Sequence, residues 1–147
     1  MKFEITTARS EYANQIATLT QELGYTANTK DTETWLTQLS SSPLHCVYIA
    51  VVDNQVCGWL VVEKRMFLES GTKAEITGLV VGKKYRCLGI AQALVRAAQE
   101  WAIEQGLETM VVRSNVEREE SHLFYPKVGF ERSKTTHVYT KSLNDNE

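Results

Sequence analysis

Residues 72–106, TKAEITGLVVGKKYRCLGIAQALVRAAQEWAIEQG, constrain the fold more than any other stretch of the chain. An apolar strand, TKAEITGLVV, runs into a basic turn and then into the clearest helix of the sequence. In that helix Ile90, Leu94, Ala97 and Trp101 recur as one apolar stripe, and Ala91, Val95, Ala98 and Ala102 form the next. Gly106 is a natural stop.

The rest of the chain arranges itself around this unit. KFEITTA reads as a first strand, with Phe3 and Ile5 on one face. SEYANQIATLTQELG is helical, through Tyr12, Ile16, Leu19 and Leu23, and DTETWLTQLS is a weaker helix with Trp35, Leu36 and Leu39 as its stripe. HCVYIAVV and VCGWLVVEKRMF flank DNQ, the signature of a hairpin. Both faces of HCVYIAVV are apolar, which places it inside a sheet. LETMVVRS is a further strand, REESHLFY a short helix, and GFERSKTTHVYTKSL a final strand or hairpin. The order β-α-α-β-β-β-α-β-α-β predicts a mixed α/β fold: one mixed sheet with helices on both faces.

The length of 147 residues, with no repeat and no linker, fits a single domain spanning 1–147. A net charge of −2 argues against a nucleic-acid partner, whose footprint is a strongly basic face. No apolar run approaches the ~18 residues of a membrane span, and MKFEITTARS has no apolar signal core. Cys46, Cys57 and Cys87 form no C-x-x-C pair, and the three histidines have no metal-ligand spacing. Reduced thiols in a cytoplasmic protein without a metal are therefore expected. A homodimer is left open.

The turn itself carries chemistry. A helix N-terminus offers free N–H groups and a partial positive charge, a ready site for phosphate. Gly89 at its entrance has no Cβ to keep a ligand off the backbone. Arg86, Lys83 and Lys84 add positive charge. The pattern Arg86-x-x-Gly89-x-Ala91 is neither a G-x-G-x-x-G dinucleotide run nor a Walker loop.

The segment AEITGLVVGKKYRCLGIAQALV resembles the central motif of the GCN5-related N-acetyltransferases, the GNAT superfamily, in which [QR]-x-x-G-x-[GA] follows a strand. SNVEREESHLFYPKVGF resembles the later motif of that family, an Asn and then FY-x-x-x-GF. The two occur in the right order. The resemblance implies a central, mostly antiparallel twisted mixed sheet and an acetyl-CoA-dependent N-acetyltransferase. It implies that the backbone of Arg86, Cys87, Leu88, Gly89, Ile90 and Ala91 holds the CoA pyrophosphate. Leu79, Val80 and Val81 would pair with pantetheine, and Asn115 would contact it. Cys87 departs from the usual Gly or Arg.

Acetyl transfer to an amine requires loss of a proton from the ammonium, which at pH 7 costs roughly 5 kcal/mol for a lysine-like amine. It also requires an oxyanion donor, expected as a backbone N–H near Leu79 or Val80, and an acid for the leaving thiolate. Glu75 is the candidate base, on the same side of its strand as Thr77 and Leu79 unless a bulge intervenes. Glu63 and Glu69 are the reserves. Tyr125 matches the family tyrosine that meets the CoA sulfur. Pro126 departs from the family and disfavours helix at Tyr125.

The acceptor is not legible. Tyr25, Trp35, Trp59, Met66 and Phe67 are candidate lining residues, and small size leans towards a small-molecule amine. The alternatives are a catalytically silent acyl-CoA-binding sensor or interaction domain, and a protein or peptide N-acetyltransferase.

Overall fold

The structure, a computed structural model, describes residues 2–113 and 119–144. It forms two compact units, residues 1–113 and 114–147. In the first, β1 (Glu4–Thr7) leads through a 3₁₀ turn into α1 (Ala13–Glu22) and α2 (Thr29–Ser40). There follow β2 (His45–Val52), β3 (Gln55–Phe67), β4 (Gly71–Val81), α3 (Ile90–Glu104) and β5 (Met110–Val112). The second unit contains α4 (Glu119–Lys127).

The strands lie in the order β1-β2-β3-β4-β5. The first three pairings are antiparallel and β4–β5 is parallel, so the sheet is mixed and mostly antiparallel, as expected. Asp53 and Asn54 turn the β2–β3 hairpin with φ of 48° and 64°. Two central residues at positive φ match the twist of the flanking strands, and Asp and Asn tolerate that region better than most side chains.

Helices cover both faces. On one, Ile16 and Leu19 of α1 and Leu36 of α2 pack with Val47, Ile49, Val56 and Val80 in a single buried cluster. On the other, Ile90 and Leu94 of α3 lie against the backbone at Gly58, where an added Cβ would come within 3.3 Å of each. The α3 stripe is buried through Ile90, Leu94, Val95, Ala98, Trp101 and Ala102.

Three expectations need correction. Asn28 caps α2, accepting from the Asp31 amide at 2.8 Å, so the helix begins earlier than Asp31. This rotational setting buries Thr32 and Leu36 and leaves Trp35 53% exposed. Residues 131–142 form no strand. Their β-formers Val138 and Tyr139 are 84% and 91% exposed, and among the described residues no neighbouring strand supplies the ladder that an isolated extended segment lacks. Finally, a bulge does intervene in β4. Val61 pairs with Gly78 and Val62 with Ile76, so Thr77 is the extra residue.

Candidate active site

The bulge decides which way Glu75 faces. Cross-strand partners share a face, and the register pairs Glu63 with Glu75, Val61 with Gly78, Trp59 with Val80, and Leu60 with Leu79. Glu75 therefore shares the α1/α2 face with Gly78 and Val80. Leu79 lies on the α3 face. The expectation that Glu75 and Leu79 point the same way fails because one inserted residue breaks the period of two.

Glu75 is 5% exposed. A buried carboxylate needs counter-charge, and two arginines supply it. Arg65 Nη1 donates to both carboxylate oxygens at 3.2 Å, and Arg113 Nε donates to Oε2 at 3.4 Å. Arg65 comes from β3, two residues beyond the Glu63 that pairs with Glu75, and Arg113 directly follows β5. Their side chains remain 46% and 48% exposed.

The other reserve carboxylates separate clearly. Glu63 Oε2 meets His45 Nε2 at 2.9 Å, and His45 Nδ1 meets Ser42 Oγ at 2.8 Å. His45, Glu63 and Glu75 occupy one row across β2, β3 and β4. Glu69 lies in the exposed turn beyond Phe67 and Gly71, the closing pair of the hairpin. Four register steps separate that pair from Glu75, ~13 Å along the strand.

The turn before α3 has the form the sequence predicts. Gly82 donates to Cys57 O at 2.8 Å, and Glu22 Oε2 accepts from the Lys83 amide at 3.1 Å, which ties the turn to α1. Gly89 stands at the N-cap with φ of 85°, and being glycine it brings no capping side chain of its own. The first α-helical bond is donated by Ala93 to Gly89 O, at 3.0 Å. A Cβ at Gly89 would meet nothing within 4 Å, so the space beside that residue is open. Arg86, Cys87, Leu88 and Gly89 are exposed, Ala91 is half-buried and Ile90 is buried. Cys87 itself has φ of 64°, left-handed for a residue with a Cβ.

Among the described residues β4 continues past β5. The β4–β5 ladder ends at the pair Ile76–Val112, whereas β4 runs on to Val81 through Leu79 and Val80. Glu75 lies one residue inside the end of that ladder and Arg113 one residue past it. Trp59 lies over Gly78 on the Glu75 face; a Cβ at Gly78 would fall 2.6 Å from its ring. The indole N–H of Trp59 is buried without a partner among the described residues.

In the second unit, α4 runs through Pro126 to Lys127, so proline does not end it at Tyr125. Pro126 lies near the C-terminus, where its missing N–H forfeits a single helical bond. The helix closes as a Schellman motif. Phe130 N donates to Tyr125 O at 3.0 Å, and Gly129 N to Pro126 O at 3.2 Å, with Gly129 at φ of 98°. The Tyr125 ring meets Phe130 edge-on at 5.7 Å and Phe124 at 5.2 Å. Asn115 lies outside the described residues.

Two shallow depressions occur elsewhere. One, of about 390 Å³, is lined by Lys64, Thr72 and Thr109 among others; the second, of about 270 Å³, is lined by Tyr25, Asp31 and Trp35 among others. Neither includes Glu75 or the α3 turn. Tyr25 and Trp35 thus line one depression together, and Trp59 and Phe67 do not line it. Among the described residues no His/Cys/Asp/Glu group could hold a metal, and no helix is long and apolar enough to cross a membrane. Burial raises the Cys46 and Cys57 thiols above their ordinary range.

Among the described residues a glycine-entered helix follows a strand that outruns its neighbour, the form of an α/β domain whose helix N-terminus offers backbone N–H groups. The model of the Acetyltransferase (GNAT) family matches residues 12–130, and the chain belongs to that family. N-acetylaspartate synthetase of Danio rerio is 30% identical over 95 residues, covering 65% of this chain and 33% of that protein. The Homo sapiens protein of the same name is 31% identical over 88 residues, covering 60% and 28%. The chain thus spans about a third of the length of these curated relatives. Among solved structures, the aminoglycoside 6'-N-acetyltransferase AAC(6')-Ih of Acinetobacter baumannii superposes with a TM-score of 0.83 at 19% identity, covering 97% and 99% of the two chains. AAC(6')-Iy, in complex with a CoA-containing bisubstrate analog, gives 0.86 at 18% identity, with the same coverage. These likenesses support the fold.

Proposed function

We propose that this chain transfers the acetyl group of acetyl-CoA to the primary amine of a small molecule, by direct attack within a ternary complex, and that its two units serve one catalytic domain. The observation that carries the reading is the glycine-entered N-terminus of α3 at the end of β4. The backbone N–H groups from Arg86 to Ala91 bind the pyrophosphate. Leu79, Val80 and Val81 pair with pantetheine along the β4 edge, and Asn115 contacts it. Relatives named for aspartate and for aminoglycosides support a small amine as acceptor.

The chemistry balances with this chain's residues. The neutral amine attacks the thioester carbon, the C–N bond forms, and a backbone N–H near Leu79 or Val80 meets the oxyanion. The C–S bond then breaks. The amine's proton passes to Glu75 through water, because both of its oxygens already accept from arginine, the thiolate takes a proton from the Tyr125 hydroxyl, and exchange with solvent then returns the proton held by Glu75 and reprotonates Tyr125.

Thermal melting tests the cofactor assignment. Acetyl-CoA should raise the melting temperature of the wild type, with CoA competing. Gly89→Asp puts a side chain and a negative charge where phosphate belongs, and the shift should vanish. A normal shift in that variant would remove the pyrophosphate assignment. Release of free CoA with a panel of amines separates an enzyme from a silent acyl-CoA-binding domain.

A further inference from the structure

We infer that the acceptor amine carries a carboxylate, which Arg65 and Arg113 receive at the fork between β4 and β5; the inference rests on the acetyltransferase reading. Glu75, Glu63, Arg65 and Lys73 share one face of the β3–β4 ladder, and Arg113 joins them through Glu75. Arg65 and Lys73 are direct cross-strand partners. Like charges placed opposite repel across a sheet, and Glu75, which accepts from Arg65, offsets that repulsion in part. Both cations also sit over the Phe67 ring, at 5.1 and 5.6 Å. Glu63 is engaged by His45. Three cations thus face two carboxylates, and the local excess is positive although the chain as a whole carries −2.

The geometry makes this excess directional. Glu75 is buried and accepts one terminal nitrogen of Arg65 and Nε of Arg113, which fixes both guanidiniums while their outer parts stay exposed. Fixed arginines recognise carboxylates well because little freedom remains to be lost. Arg113 stands one residue past the last rung of the β4–β5 ladder, and Arg65 reaches from β3 to Glu75, one rung inside it, close to where a thioester carried along the β4 edge would arrive. A polycationic acceptor would meet repulsion there. The indole N–H of Trp59, on the same face, is buried without a partner among the described residues.

The test compares amino acids with their own carboxamides, and both with spermidine and kanamycin, by CoA release. The amine of a carboxamide is the less basic, so more of it is neutral at pH 7; preference for the acid runs against intrinsic reactivity. We expect kcat/KM at least tenfold higher for the preferred amino acid than for its carboxamide. Arg113→Gln and Arg65→Gln should raise KM for the acid at least tenfold, with a much smaller effect on the carboxamide, and Arg113→Lys should recover part of the loss. Equal use of acid and carboxamide, a preference for spermidine or kanamycin, or an equal loss for both substrates in the variants overturns the inference. If no amine releases CoA, the acetyltransferase reading fails, and a separate arm decides the site. Glutamate and N-acetylglutamate are titrated against the protein by calorimetry: saturable binding lost in Arg113→Gln supports the site, and none overturns it.

Discussion

A carboxylate 5% exposed between two guanidiniums is costly to leave unpaired, so Glu75 is first of all the centre of a charge cluster. A general base and a positioning residue leave different kinetic traces. If Glu75 relays the amine's proton, Glu75→Gln should lower kcat ~10²–10⁴-fold for every amine, with partial recovery at high pH and unchanged acetyl-CoA affinity. A loss confined to carboxylate-bearing amines would make it a positioning residue and move the search for a base to Glu63, which His45 and Ser42 connect in a hydrogen-bonded row. Tyr125 is tested by removing one oxygen. Tyr125→Phe keeps the packing on Phe124 and Phe130. Its hydroxyl would act as the C–S bond breaks, so kcat should fall while KM for acetyl-CoA holds. Unchanged kcat would remove the acid role.

At the scale of elements, α4 depends on its stop. Gly129→Ala places a Cβ at φ of 98°, where no neighbouring atom obstructs it, so the cost is conformational. We expect ~1 kcal/mol of destabilisation, a drop of roughly 3 °C in the melting temperature, and lower kcat as Tyr125 loses its Schellman contact. An unchanged melt would show that the motif does not hold the helix end. Such stops are readable in advance because glycine announces them, and so are β2 and α3, whose apolar pattern and length agree. The bulge at Thr77 is different. Nothing in TKAEITGLVV marks the residue at which the period of two is broken, since the insertion is defined only against β3. The arginines around Glu75 were equally hidden: they lie 10 and 38 residues from it along the chain, and only the sheet joins them. The α3 turn was legible because its chemistry is local, a glycine and a cation within one run.

For the molecule as a whole, the family match from 12 to 130 reaches from the first compact unit into the second, although the described sheet lies entirely within the first. Net charge misleads at this scale, for the −2 of the chain conceals the cations gathered on one sheet face. The continuation of β4 beyond β5 has another consequence. A strand with open backbone groups is a template for further strands, and proteins commonly guard such edges with lysine, proline or a short run. Leu79, Val80 and Val81 carry none of these guards. A pantetheine arm lying there would do what a gatekeeper residue does elsewhere. Cofactor supply would then govern the colloidal behaviour of the protein as well as its turnover, with the unloaded chain the more prone to pair with its own copies.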